Sequence, residues 1–298
     1  MFTVPLALML AACTPDPCRC PPDTGGCTED SGGCPDDSDL PGPEDTDETA
    51  APPPLRVALY DDGASAYPSA WAEGLDAIEA AMRAYGADVE RIDRDALNGE
   101  PGLLQGFSVL LFGGGYAYPG YTVYITGRGK ARIQEFVAGG GAFVGICAGA
   151  YFACDSIDYE GATWGDESGY DTDLYPGACG GPVAEVSSYP VWAPATVDFP
   201  GHPSYEDFGN VPFERQIFYA GGPFFDAPPD GTEVLARYAD PGPHQGLAAV
   251  VARAYGAGRV VLWGPHPEVL SVASVPDVTL DAANRDLYAG VVAWAAEP

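Results

Sequence analysis

Three residues have the types and the spacing for acyl-transfer chemistry: Cys147, His266 and Glu268. A cysteine attacks a carbonyl well when a neighbouring base takes its proton, and the base works best when a third group orients it. Only Pro267 separates His266 from Glu268, so one loop carries both side chains and the proline limits how that loop bends. The roles that follow are nucleophile for Cys147, general base and acid for His266, and orienting carboxylate for Glu268. A developing oxyanion needs backbone N–H donors, and the candidates are Gly114 or Gly115 together with Ala148. Tyr151, Tyr116 and Gly222 are the candidate substrate contacts. The plain alternative is a buried strand that ends in a structural cysteine, since free cysteine is commonly buried.

The elements that must position these groups are legible around Ala138–Asp155, AGGGAFVGICAGAYFACD. The apolar run Ala142–Ile146 reads as a buried strand, Cys147 closes it, and Ala148, Gly149 and Ala150 are small enough to open a helix. A strand, a sharp turn and a helix place the nucleophile at the bend, where a helix N-terminus favours a thiolate. Upstream, Leu55–Tyr60, Ala87–Ile92 and Phe107–Phe112 read as strands. A helix is predicted over Ser69–Tyr85, periodic through Trp71, Leu75, Ile78 and Met82, with Gly86 as its stop; a second spans Gly127–Ala138. This alternation specifies an α/β doubly wound parallel sheet, in which sites lie at the carboxyl ends of the strands. Gly113–Gly115 and Cys147 fall at such ends.

Downstream the pattern changes. Ala184–Ser188 and Thr196–Phe199 read as antiparallel strands, followed by Gln216–Ala220 and Thr232–Tyr238. Leu247–Tyr255 and Gly258–Leu262 form a hairpin around Gly256, and Leu280–Ala296 is a closing helix. Cys154 is either core or the partner of Cys179; on one helix with Cys147 it would lie too far along the axis for a disulfide. His202 and His244, in Gly/Pro-rich loops, are expected at the surface. The tyrosines at 116, 118, 121 and 124 either wall a pocket or cover the sheet edge, and Asp166, Glu167, Asp171 and Asp173 make a solvated acidic loop. Gly127-Arg128-Gly129-Lys130 is not a phosphate-binding motif and reads as a cationic first helical turn. Neither a metal-ligand triad nor a cofactor motif is recognised, so no metal and no cofactor are expected.

With 13 Lys and Arg against 43 Asp and Glu, the net charge of −30 argues against nucleic acid and anionic membrane surfaces as partners. Residues 1–12 read as a signal peptide, and Leu10-Ala11-Ala12-Cys13 matches a bacterial lipobox, although no Lys or Arg precedes the apolar run. Lipidation of Cys13 would anchor the chain to a membrane, and Thr14 after it suggests the outer membrane. Residues 13–54 hold eleven acidic residues and one base, Arg19, and read as a disordered acidic spacer. Cys18, Cys20, Cys27 and Cys34 within it fit disulfides in an oxidising compartment, with a zinc site as the alternative. The expected location is extracytoplasmic, lipid-anchored or secreted, with the folded domain over 55–298.

Gly145-Ile146-Cys147-Ala148-Gly149, followed later by His266-Pro267-Glu268, resembles the class I glutamine amidotransferases. Leu111–Gly115, Gly145–Tyr151, Tyr219–Pro223 and Gly264–Glu268 are more specifically similar to the amidotransferase-like domain found at the N-terminus of some biotin-protein ligases. The resemblance covers about 55–298. It implies a flavodoxin-like fold, here with a C-terminal antiparallel hairpin added, and a Cys-His-Glu site. Tyr151 stands where glutaminase domains usually carry the glutamine that helps bind substrate, which argues against transfer of glutamine nitrogen. The function expected first is a cysteine-dependent hydrolase of an amide or ester, its substrate a small molecule or peptide. A binding or scaffold protein that keeps the bend for structure is the alternative, and a glutaminase subunit comes third.

Overall fold

In chain order, β1 (Arg56–Tyr60) leads through α1 (Ala72–Ala84) to β2 (Asp88–Ile92), and α2 (Arg94–Gly99) leads to β3 (Val109–Phe112). A helical turn α3 (Thr122–Tyr124) and then α4 (Gly127–Ala138) precede β4 (Ala142–Ile146) and α5 (Ala148–Ala153). β5 (Cys154–Tyr159), β6 (Ala162–Trp164), β7 (Tyr175–Gly181), β8 (Ala193–Phe199) and β9 (Phe213–Tyr219) follow. β10 (Thr232–Tyr238), β11 (Ala248–Tyr255), β12 (Gly258–Trp263) and α6 (Ala283–Ala295) complete the chain. The computed structural model describes residues 54–164 and 172–297. The candidate signal segment, Cys13, the other tail cysteines, and Asp166, Glu167 and Asp171 lie outside the described residues.

Nine strands form one sheet in the order β2-β1-β3-β4-β12-β11-β10-β8-β9. The first five positions are mutually parallel, and from β12 outward every pairing is antiparallel. The order β2-β1-β3-β4 is that of a flavodoxin-like sheet, with its switch point between β1 and β3. Side chains alternate between two buried layers. Val57 and Leu59 of β1 join Leu75, Ile78 and Met82 of α1 and Leu287, Val291 and Val292 of α6. Ala58 and Tyr60 face the opposite layer with Leu97, Ile133, Val137 and Phe152. Burial on both faces is why these strands read as unbroken apolar runs.

The antiparallel part is larger than one hairpin. β11 and β12 pair as expected around Gly256, and β10, β8 and β9 extend the sheet beyond them. Ala184–Ser188 is not a strand. It is a turn closed by the Val186 N–H on the Val183 carbonyl at 3.0 Å, with Glu185 held by His244 and no ladder partner among the described residues. Helix α1 begins at Ala72, so Trp71 is its N-cap and not part of its apolar stripe.

A second, three-stranded sheet, β6-β5-β7, stands apart from the first. Cys154 opens β5 rather than continuing the helix after Cys147, and it is disulfide-bonded to Cys179 of β7 with Cα atoms 6.0 Å apart. The bond closes a loop of 25 residues. Replacing both cysteines by alanine is therefore expected to cost about 3 kcal/mol of stability, read from urea unfolding curves with and without reductant.

Candidate active site

The backbone at Cys147 is bent sharply. Its φ of 51° is unusual for a residue with a side chain, and it lies between the last residue of β4 and the first of α5. Two glycines make the bend possible. A Cβ on Gly145 would lie 2.4 Å from the Gly149 carbonyl oxygen, and one on Gly149 would lie 2.3 Å from the Phe112 carbonyl oxygen. Both obstacles are backbone, so neither can swing aside. Gly149→Ala is expected to cost about 1–3 kcal/mol and to shift the bend, seen as a lower thermal midpoint together with altered alkylation of Cys147. The N–H of Cys147 donates to the Trp263 carbonyl at 2.8 Å, which ties the bend to the end of β12.

The chain leaves β12 through Gly264 and Pro265 and brings His266 to the same cavity that Cys147 lines. The N–H of His266 donates to the Phe218 carbonyl of β9 at 2.7 Å, which fixes the loop from below. His266 Nδ1 lies 2.8 Å from Glu268 Oε1. His266 is 2 % exposed and Glu268 0 %. Burial lowers the imidazole pKa, but the charges of Glu268 and Cys147 and the hydrogen bonds to both outweigh it and push the value up to about 10. The ring therefore carries its proton at neutral pH, between a sulfur and a carboxylate.

Tight packing holds the imidazole in that place. A Cβ on Gly114 would come within 2.6 Å of His266 Cε1, so the glycine lets the ring approach. On the cavity side, the rings of Trp192 and Trp71 lie 4.8 and 6.0 Å from that of His266. Neither tryptophan was singled out from the sequence as part of the site. Trp71 reaches it because residues 69–71 pair as a bridge with Gly115: the Trp71 N–H donates to the Gly114 carbonyl at 2.9 Å and the Tyr116 N–H to the Ser69 carbonyl at 2.8 Å. The buried carboxylate of Asp62 accepts the N–H groups of Ser69 and Ala70 and organises that segment.

Of the expected oxyanion donors, Gly115 and Ala148 line the cavity, and among the described residues no acceptor takes the N–H of either. Gly114 lies behind His266 instead, and the N–H of Gly149 is taken by the Gly113 carbonyl at 3.1 Å. The cavity above Cys147 has a volume of about 640 Å³. Tyr116 and Tyr151 line it, with Tyr118, Tyr159, Trp164 and Tyr189. Gly222 does not line it. A Cβ there would meet the Gly264 carbonyl oxygen at 1.9 Å, so Gly222 serves the packing of the His266 loop, and Gly221 is the residue at the cavity wall. Tyr151 is locked in place: its hydroxyl donates to the Gly221 carbonyl at 3.1 Å, in space that Gly181 leaves open.

The remaining candidates separate. Tyr121 is core, and its hydroxyl donates to the Gly113 and Gly114 carbonyls. Lys130 is buried and donates from Nζ to the Thr122 carbonyl at 2.7 Å, so the turn that opens α4 does not present two free cations. His202 and His244 are half-buried rather than surface residues: His202 bonds Ser204 and Glu233, and His244 bonds Glu185.

Comparison with known proteins agrees with this architecture. An uncharacterized protein of Chlamydia muridarum is 34 % identical over 196 residues, 61 % of this chain and 69 % of that one. The biotin–protein ligase of Schizosaccharomyces pombe is 29 % identical over 151 residues, 46 % of this chain but only 22 % of the ligase. Among solved structures, PurLQS from Thermotoga maritima matches with a TM-score of 0.54 at 14 % identity, over 81 % of this chain and 99 % of that one, a likeness of fold. The model of the family described as "Biotin-protein ligase, N terminal" matches residues 56–289. With its doubly wound sheet and the bend at Cys147, the chain belongs to that family of amidotransferase-like domains.

Proposed function

We propose that this domain is a cysteine-dependent acyl hydrolase acting outside the cytoplasm on an amide or ester. The observation that carries the reading is the series of sulfur, imidazole and carboxylate beneath an open cavity, with two uncommitted N–H groups in the lining of that cavity. In this reading Cys147 Sγ, its proton passed to His266, attacks the substrate carbonyl carbon. Gly115 and Ala148 receive the oxyanion. His266 then returns the proton to the leaving group, and water hydrolyses the thioester with His266 as base. The lipobox at Cys13 and the Cys154–Cys179 disulfide support an oxidising compartment. A second reading, ligand capture without turnover, is favoured by Tyr151, whose ring occupies the cavity wall with its hydroxyl already committed.

Intact-mass analysis during incubation with p-nitrophenyl acetate tests the proposal. The parent is expected to form an acetyl adduct on Cys147 that decays as product accumulates, and Cys147→Ala to form none. A parent that never acylates, or an adduct that never turns over, leaves ligand capture as the reading.

A further inference from the structure

Among the described residues, eight aromatic side chains line the cavity above Cys147, with one carboxylate, Glu160, and no lysine or arginine. Among the described residues, the only cationic group facing it is His266, whose Nδ1 is committed to Glu268 at 2.8 Å. The sequence from 165 to 171 contains no basic residue either. An anionic substrate would thus meet only the imidazolium already paired with Glu268 and would approach a chain of net charge −30. A cation meets the opposite: aromatic faces that attract it, a carboxylate, and a surrounding field of the favourable sign.

The carboxylate is presented by a defined turn. Tyr159 and Ala162 face each other across the β5–β6 hairpin, and the two residues between them, Glu160 and Gly161, have φ of 53° and 78°. That is the twist of the tightest hairpin loops. The N–H of Glu160 also donates to the Gly181 carbonyl at 2.8 Å, which pins the turn to β7. No ion pair among the described residues occupies the Glu160 side chain. In the same cavity lining, Tyr118 stacks on Trp164 with centroids 5.9 Å apart, and Tyr116 meets Tyr189 edge to face at 5.9 Å. Tyr116 and Tyr189 are 54 % and 56 % exposed, so these faces are open toward an arriving ligand.

Resting on the acyl-transfer reading of Cys147, we propose that the substrate carries a cationic group, an ammonium or quaternary ammonium, which the exposed Tyr116 and Tyr189 faces and Glu160 hold while the acyl carbonyl reaches Cys147. Phenyltrimethylammonium is the probe, with uncharged tert-butylbenzene as its isostere and benzoate as the anion. Binding to the full chain is read by tryptophan fluorescence and by protection of Cys147 from iodoacetamide. The cation is expected to bind at least tenfold more tightly than the isostere, to lose affinity with added salt, and to protect Cys147; benzoate does neither. Glu160→Gln is expected to weaken the cation about fivefold, the scale of one partly solvated charge pair, without moving the isostere. Tyr189→Leu is expected to weaken it about two- to fivefold. Equal affinity for cation and isostere, or an affinity unchanged in Glu160→Gln of unaltered thermal midpoint, overturns the cation site. The two readings fail separately. Acylation of Cys147 by a neutral ester without cation binding removes this inference and keeps the hydrolase. Cation binding over an inert Cys147 removes the hydrolase and keeps the site.

Discussion

Replacing His266 by alanine is expected to lower acyl transfer by about 10³–10⁴-fold and to remove the reactivity of Cys147 in mild acid. The physical reason is the charge the imidazole carries. Burial alone would strip its proton, but Glu268 and Cys147 on either side raise its pKa to about 10, so an imidazolium faces the sulfur across the neutral range. A fixed cation beside a sulfur favours the thiolate, the form that attacks. The parent should therefore react readily with iodoacetamide at pH 6. In His266→Ala, which lacks that cation, the rate at pH 6 should fall by about 100-fold. Mass spectrometry of the alkylated Cys147 peptide measures both rates. A slow rate in the parent that the substitution leaves unchanged would make Cys147 a structural thiol.

Much of this arrangement is legible in the sequence because it depends on local chemistry. The strands under the bend are buried on both faces, so Leu110 and Leu111 alike had to be apolar, and the run announces itself. Gly256 supplies the positive φ that closes the β11–β12 hairpin, and the helix over Gly127–Ala138 has the bounds its periodicity sets. Cys147, His266 and Glu268 stand out because a cysteine closes one strand and one of only three histidines, with a carboxylate two residues on, follows another. What could not be read depends on contacts far apart in the chain. Trp71 fits a helical stripe equally well, and only the bridge of residues 69–71 with Gly115 turns it toward His266. Trp192 reaches the imidazole because β8 and β9 lie at the far edge of an antiparallel extension whose size no local pattern reveals. The β5-β6-β7 sheet is short and glycine-rich, and its stability leans on a disulfide between residues 25 apart. Gly221 and Gly222 are neighbours of one type, and which one borders the cavity is decided by the close approach of Gly264.

Glu268→Gln is the substitution expected to cost the most stability, about 3–5 kcal/mol at pH 6, because it keeps the shape of the side chain and removes the counter-charge of a buried cation. Glu268 is fully buried, with Oε1 2.8 Å from His266 Nδ1, and its backbone carbonyl accepts Arg285 Nε at 2.9 Å, so the substituted side chain has no route to solvent. The sign of the pH dependence follows from the imidazole. His266 is raised from an unfolded value near ~6.5 to about 10 in the fold, so the folded state holds a proton that the unfolded state releases between those limits. The stabilisation from its charge is fully present below ~6.5 and is lost as pH rises through about 10. Without the carboxylate, burial dominates and His266 titrates lower. The gap between parent and Glu268→Gln in urea unfolding should thus be widest near pH 6 and should close toward pH 10. A gap of constant size across that range would mean that Glu268 contributes through packing and a neutral hydrogen bond, and that no imidazolium stands beside Cys147.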